Sequence, residues 1–264
     1  GGAQGSDGQV LTSTGSGVGW EDAAAGGATA LDGLSDAVSG ITNFTRSLIL
    51  GHQTTGTLDG ANDNTAVGYA AMDAITSGTV NTAVGSTALS ANTTAASNTA
   101  IGYGALATAT TGGLNTAVGR SALLDLTTGT PNVAVGAYAG QSVTTGASNT
   151  FIGYQAGDAT TTADGNTAVG RDSLVANTTG DQNTAVGAIS LDANTTGRNI
   201  VAVGYNALGA NTTGASNVAV GMNALDANTT ASYNTAVGTD ALTANTTGTP
   251  NVAVGRGALG ANTT

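Results

Sequence analysis

The sequence contains no cysteine and no lysine, a single histidine, a single tryptophan and two prolines. The missing cysteine excludes a disulfide framework and any thiolate-ligated zinc or iron–sulfur site. With lysine also missing and His52 the only imidazole, Schiff-base, thiol-nucleophile and histidine-base catalysis lack their side chains. No cofactor is expected. Charge is scarce: 8% of the 264 residues ionise, against about 25% in an ordinary soluble domain. All five cations are arginine, scattered through a chain of net charge −11. The basic stripe of a nucleic-acid binder is therefore missing. No apolar run approaches the roughly 20 residues that span a bilayer, so membrane insertion is not expected either. Nothing reads as a signal peptide. Because the sequence begins at Gly1 rather than Met and stops at Thr264 partway through a repeat, it is expected to be a piece of a longer chain.

Glycine, by contrast, is abundant, at 42 residues. Low charge with so much Gly and Thr points toward disorder, but 40% hydrophobic residues and a strict internal period point away from it. The string Asn64-Thr65-Ala66-Val67-Gly68 returns at Asn81, Asn98, Asn115, Asn132, Asn149, Asn166, Asn183, Ile200, Asn217, Asn234 and Asn251. Every step is 17 residues, without insertion or deletion across twelve copies, and Ser47-Leu48-Ile49-Leu50-Gly51 is a degenerate copy one period upstream. Loops of independent domains change length freely. A period that never slips means that each residue is held by the copies above and below it.

Seventeen residues are too few for a helical repeat, and Thr and Val at the second and fourth positions favour strand. The fold class predicted is all-β, a parallel β-solenoid with one 17-residue coil per repeat. Residues 1–46 form a Gly-rich leader, and 47–264 form about thirteen coils. Self-stacked coils at about 4.8 Å each would make a rod of about 60 Å, whereas three intertwined chains would extend severalfold further.

Position five is glycine in every copy: Gly68, Gly85, Gly102, Gly119, Gly136, Gly153, Gly170, Gly187, Gly204, Gly221, Gly238 and Gly255. Such a column predicts a turn at positive φ or a close approach of backbones. Position fifteen is Gly in eight complete copies and Ala in three, which reads as a looser corner. Position twelve accepts Ile75, Ala109, Leu126 and Val143 as well as Asn, so it points inward. Asn177, Asn194, Asn211, Asn228, Asn245 and Asn262 then form a buried ladder. The same reasoning takes the Asn-Thr-Thr triplets as ladder rather than glycosylation sites. Positions three and four are both apolar, nearly always Ala then Val or Ile. Adjacent strand residues face opposite ways, so one face fills the coil and the other needs a neighbour. Small Ala facing that neighbour would let two walls approach closely. An oligomer about the rod axis follows, a homotrimer being the economical case.

Two coils depart together: Gly140 and Gly157 replace the usual Leu of position nine, with Phe151 in place of Ala and Tyr138 nearby. Two readings stand, volume compensation and a local pocket or bend. In the leader, short apolar runs flanked by Gly predict a hairpin or an extended linker. Leu31, Leu34, Val38, Ile41 and Leu48 fall on a 3-4 spacing that admits a short coiled-coil neck, against which stand Gly33 and Gly40. An extended, strand-like approach to the first coil is the alternative.

Candidate chemistry is thin. His52 reads as a surface or capping residue. Asp73, Asp158, Asp192 and Asp226 share position ten, but no two occupy adjacent coils. A glycosidase needs two carboxyls about 5–10 Å apart. Only Asp158 with Asp172, or Asp181 with Asp192, offer that pairing, and solvated surface is the simpler reading. Tyr69, Tyr103, Tyr154 and Tyr205 share the permissive position six with Arg120, Arg171 and Arg256. They are candidate surface contacts, since Tyr and Arg are favoured contact residues and Tyr stacks on sugar rings.

The Asn-Thr-Ala-Val-Gly-Tyr type of repeat resembles the head repeats of trimeric autotransporter adhesins, though those are usually shorter. It is still more similar to shaft repeats of phage tail fibres. The leader, from Asp7-Gly8-Gln9-Val10-Leu11 through Trp20-Glu21-Asp22, is similar to tail-fibre segments of marine phages. The resemblance implies left-handed coils, a trimer, and an extracellular place on a virion tail or a bacterial cell surface. The function it implies is a non-catalytic shaft of a tail fibre supporting host attachment, with any host glycan or receptor held by distal domains beyond this sequence. A bacterial adhesin or self-assembling filament is the alternative, and a tailspike-like polysaccharide depolymerase a further one.

Overall fold

The computed structural model describes residues 9–13, 18–22, 37–39, 47–50 and 58–263. Among them all regular structure is β, in sixteen strands. Strands β1 (Gln9–Ser13) and β2 (Val18–Asp22) form an antiparallel hairpin that puts Leu11 opposite Trp20. Strand β3 (Ala37–Ser39) pairs antiparallel with β4 (Leu48–Leu50), Val38 opposite Ile49. Of the two readings of this segment, Val38 and Leu48 follow the extended one, since both lie in paired strands. Fewer than three heptads carry little helix-nucleating power, whereas the open edge of β4 offers unpaired backbone groups to bond. Leu31, Leu34 and Ile41 fall outside the described residues.

From β4 onward each coil contributes one three-residue strand at the same place. The series runs from β5 (Thr65–Val67) through β6 (Thr82–Val84), β7 (Thr99–Ile101), β8 (Thr116–Val118) and β9 (Val133–Val135) to β10 (Thr150–Ile152). It continues through β11 (Thr167–Val169), β12 (Thr184–Val186), β13 (Val201–Val203), β14 (Val218–Val220) and β15 (Thr235–Val237) to β16 (Val252–Val254). They lie in chain order in one sheet of fourteen strands, every pair from β4 on being parallel. Thr150 stands against Thr167 and Val133, and every other residue likewise faces its equivalent 17 residues away. The fold is a parallel β-solenoid of 17-residue coils.

The sheet is only part of what locks the period. Outside the strands, backbone amides also bond along the axis: Met72 N–H donates to the Ala88 carbonyl at 3.0 Å, Thr87 to Tyr69 at 2.8 Å, and Ser97 to Thr79 at 3.0 Å. The same three links recur up the solenoid. Deleting one residue would shift every axial bond of a coil at once, so buried backbone groups would go unpaired.

Three corners of the coil turn through the left-handed region. Leu106 at position nine has φ +51°, Ser121 at position seven +54°, and Ser148 at position seventeen +58°. For Leu this conformation costs about 1–2 kcal/mol, which the burial of a whole Leu side chain, about 1.5–3 kcal/mol, offsets. Leu89, Leu106, Leu123, Leu174, Leu191, Leu208, Leu225 and Leu242 are all fully buried. With the Ala columns of positions three and eight they make one continuous core.

The strand faces are the reverse of the sequence expectation. The residue of position three, Ala in all coils but those of Ile49 and Phe151, is buried throughout, while Val or Ile of position four lies outward, partly exposed. The interior holds Leu of position nine opposite the strand, and small Ala leaves room for it. The outer sheet face is therefore a row of Val67, Val84, Ile101, Val118, Val135, Ile152 and their successors, flanked by Thr or Val of position two.

Candidate functional site: ladders, sheet face and tyrosine corner

At position five, φ lies near +136° and the coils come as close as backbones can. A Cβ on Gly68 would fall 2.6 Å from the carbonyl oxygen of Gly85, and the same collision recurs at Gly136 and Gly221. Position fifteen is crowded too, but its φ is not positive, and Ala95, Ala163 and Ala231 occupy it nearly buried. That corner is conformationally ordinary rather than loose.

Two asparagine ladders run through the interior. At position one, Asn64 Oδ1 accepts from the backbone N–H of Asn81 at 2.9 Å, and Asn64 Nδ2 donates to the Gly78 carbonyl at 2.8 Å. Ser47 starts this ladder, its Oγ accepting from Asn64 N–H at 2.8 Å. At position twelve, Nδ2 of Asn194 donates to Oδ1 of Asn177 at 2.8 Å, and Asn211, Asn228 and Asn245 continue the chain at 2.9, 3.0 and 3.3 Å. Asn262 makes the last link at 3.5 Å. The amides from Asn177 to Asn245 each also reach a position-fifteen carbonyl, as Asn211 does to Gly214 at 3.0 Å. Beside this ladder the position-thirteen threonines donate to the next threonine's carbonyl, Thr127 to Thr144 at 3.0 Å.

The irregular coils resolve as packing. Phe151 is fully buried, and a Cβ at Gly140 or Gly157 would come within 2.7 or 2.5 Å of its ring. One ring thus takes the space of two leucines, and no bend interrupts the sheet there.

Several carboxylates have a carboxylate neighbour in the adjacent coil, Asp172 beside Asp192 and Asp240 beside Asp226. Burial is the first cause that pushes the carboxyls of Asp158, Asp192 and Asp226 above their ordinary value. The neighbouring charges that add to it are Asp125, Asp172 and Asp240 respectively. The charge beside Asp158 is thus Asp125, and Asp172 stands beside Asp192. Asp181 instead accepts from the backbone N–H of Asp164 at 2.9 Å. Among the described residues no three His, Cys, Asp or Glu side chains gather to hold a metal ion, and no helix is long and apolar enough to cross a membrane. His52 lies outside the described residues.

Position six forms an outer corner. Tyr69, Tyr103, Tyr154 and Tyr205 are about half-exposed there. The sequence alone missed Tyr138 as a partner in this corner: it meets Tyr154 edge to face, and Arg120 packs over its ring. The 17-residue column hides such contacts because Tyr138 belongs to position seven. No protein-family model matches the chain, and neither a curated protein nor a solved structure does.

Proposed function

We propose that the chain is the non-catalytic shaft of an extracellular fibre, most in keeping with a phage tail fibre, in which copies of the solenoid associate through their sheet faces, three to a fibre. The observation that carries this reading is the unbroken axial bonding of identical coils from β4 to β16. An element bonded along its whole length transmits load and sets distance. The row of half-exposed Val and Ile on a flat face supports association, because a contiguous apolar strip of this length is uncommon on a monomer. A bacterial adhesin in which the rod itself sticks to a surface draws support from the tyrosine corner instead.

The test is the mass of the particle in solution by light scattering, for the native chain and for Val118→Asp with Val186→Asp. The proposal expects three copies for the native chain and a single copy for the variant with its β circular dichroism unchanged. A native chain that runs as a monomer at micromolar concentration would contradict it.

A further inference from the structure

The geometry points to a saccharide-binding platform on the side of the solenoid, built by Arg120, Tyr138, Tyr154, Arg171 and Asp172, which takes a neutral hexopyranose polymer lying along the axis. This does not depend on the shaft reading, since a lone rod would carry it equally.

Arg120 places its guanidinium carbon 5.4 Å from the centre of the Tyr138 ring. Tyr138 in turn meets Tyr154 at 6.0 Å between centroids and 89° between planes. One coil further, Arg171 Nη1 donates to Asp172 Oδ2 at 2.6 Å. The backbone holds these groups in place: Tyr138 N–H donates to the Arg120 carbonyl at 2.8 Å, and Asp172 N–H to the Tyr154 carbonyl at 2.9 Å. A guanidinium packed over a ring keeps its in-plane N–H groups directed outward. Tyr154 is 48% exposed and the Arg171 side chain 63%, so ring and donors face solvent together.

Aromatic surface rimmed by fixed donors and a carboxylate acceptor is what a pyranose needs. The apolar ring face covers C–H groups, and Arg171 with Asp172 can bond vicinal hydroxyls. The patch runs over four coils, about 14 Å along the axis. That is small for a stable protein interface, which takes about 800 Å² a side, but long enough for several sugars. Successive rungs are about 4.8 Å apart, close to the length of one hexose in an extended chain. The net charge of −11 disfavours polyanions, hence a neutral polymer. The patch also sits where the interior was rebuilt around Phe151, Gly140 and Gly157, which distinguishes these coils from their neighbours.

The experiment is native gel electrophoresis of the full chain in gels containing yeast mannan, laminarin, galactan or polygalacturonate. Retardation is expected in at least one of the three neutral polymers and not by polygalacturonate. Tyr154→Ala, Tyr138→Ser and Arg120→Ser should each weaken that retardation about tenfold, while Arg256→Ser leaves it unchanged. These variants should fold, because Ser86, Ser121 and Ala137 already stand at the same positions of other coils. Circular dichroism checks that they do. No retardation by any neutral polymer, retardation by polygalacturonate alone, or retardation indifferent to all three variants would overturn the assignment.

Discussion

Glycine is required at position five for two independent reasons, a backbone at φ near +136° and a carbonyl of the next coil where a Cβ would sit. Gly221→Ala should therefore cost about 3 kcal/mol or more, at the severe end for a single substitution. Gly214→Ala, at position fifteen, should cost less: its Cβ would also meet a backbone carbonyl, that of Ala231 at 2.3 Å, but the backbone there is not at positive φ, and Ala231 itself fills the same corner one coil on. Urea unfolding of the two variants checks the contrast, and equal losses would contradict it. The column of glycines was legible because one residue type alone satisfies both demands. The left-handed corners at positions seven, nine and seventeen were not, because Leu106, Ser121 and Ser148 occupy them. There the cost is carried by burial and axial bonding, which leave no mark on composition. The Asp192 carboxyl adds a pH dependence. Burial raises it above its ordinary 3.8, so the folded chain takes up a proton more readily than the unfolded one. Stability from this group should rise as pH falls from neutral through its folded value, and level off below 3.8. Asp192→Asn should raise the unfolding midpoint at pH 7 and change it little near pH 3. An equal effect at both pH values would refute the burial account.

A single coil has no core of its own; its element is the column that runs through many coils. The position-twelve column shows how far a column tolerates change: Ile75, Leu126 and Val143 pack apolar below, and Asn177 to Asn245 bond above. This inward slot was legible because apolar residues and Asn share it. The direction of the strand was not, because Ala66 and Val67 are both apolar and their order alone does not say which faces the core. The opposing Leu decides it: a small residue must stand across from a large one. Phe151 and its two glycines test this volume matching. Gly157→Leu alone should destabilise the solenoid by about 3 kcal/mol from overpacking. The triple change Gly140→Leu, Phe151→Ala, Gly157→Leu restores the pattern of the other coils and should recover most of the loss. Thermal unfolding of both variants decides it, and a triple variant no better than the single one would mean that the ring does more than fill space.

From β5 to β16 the described residues form a stack of equivalent coils whose outer sheet face carries a continuous row of Val and Ile. The period, coil length and β class were all written in the spacing, since a 17-residue step without a slip admits few architectures. The tyrosine corner was legible only as a column at position six. Its contacts cross to position seven of another coil, a diagonal that no one-dimensional period displays. The most direct measurement is cryo-electron microscopy of the purified chain, read for axial rise per 17-residue coil and for what covers the Val and Ile row. A rise of about 4.8 Å, with that row packed against two further copies about a common axis, is the predicted result. A larger rise, or a rod whose sheet face meets only solvent, would contradict the self-stacked, associating shaft.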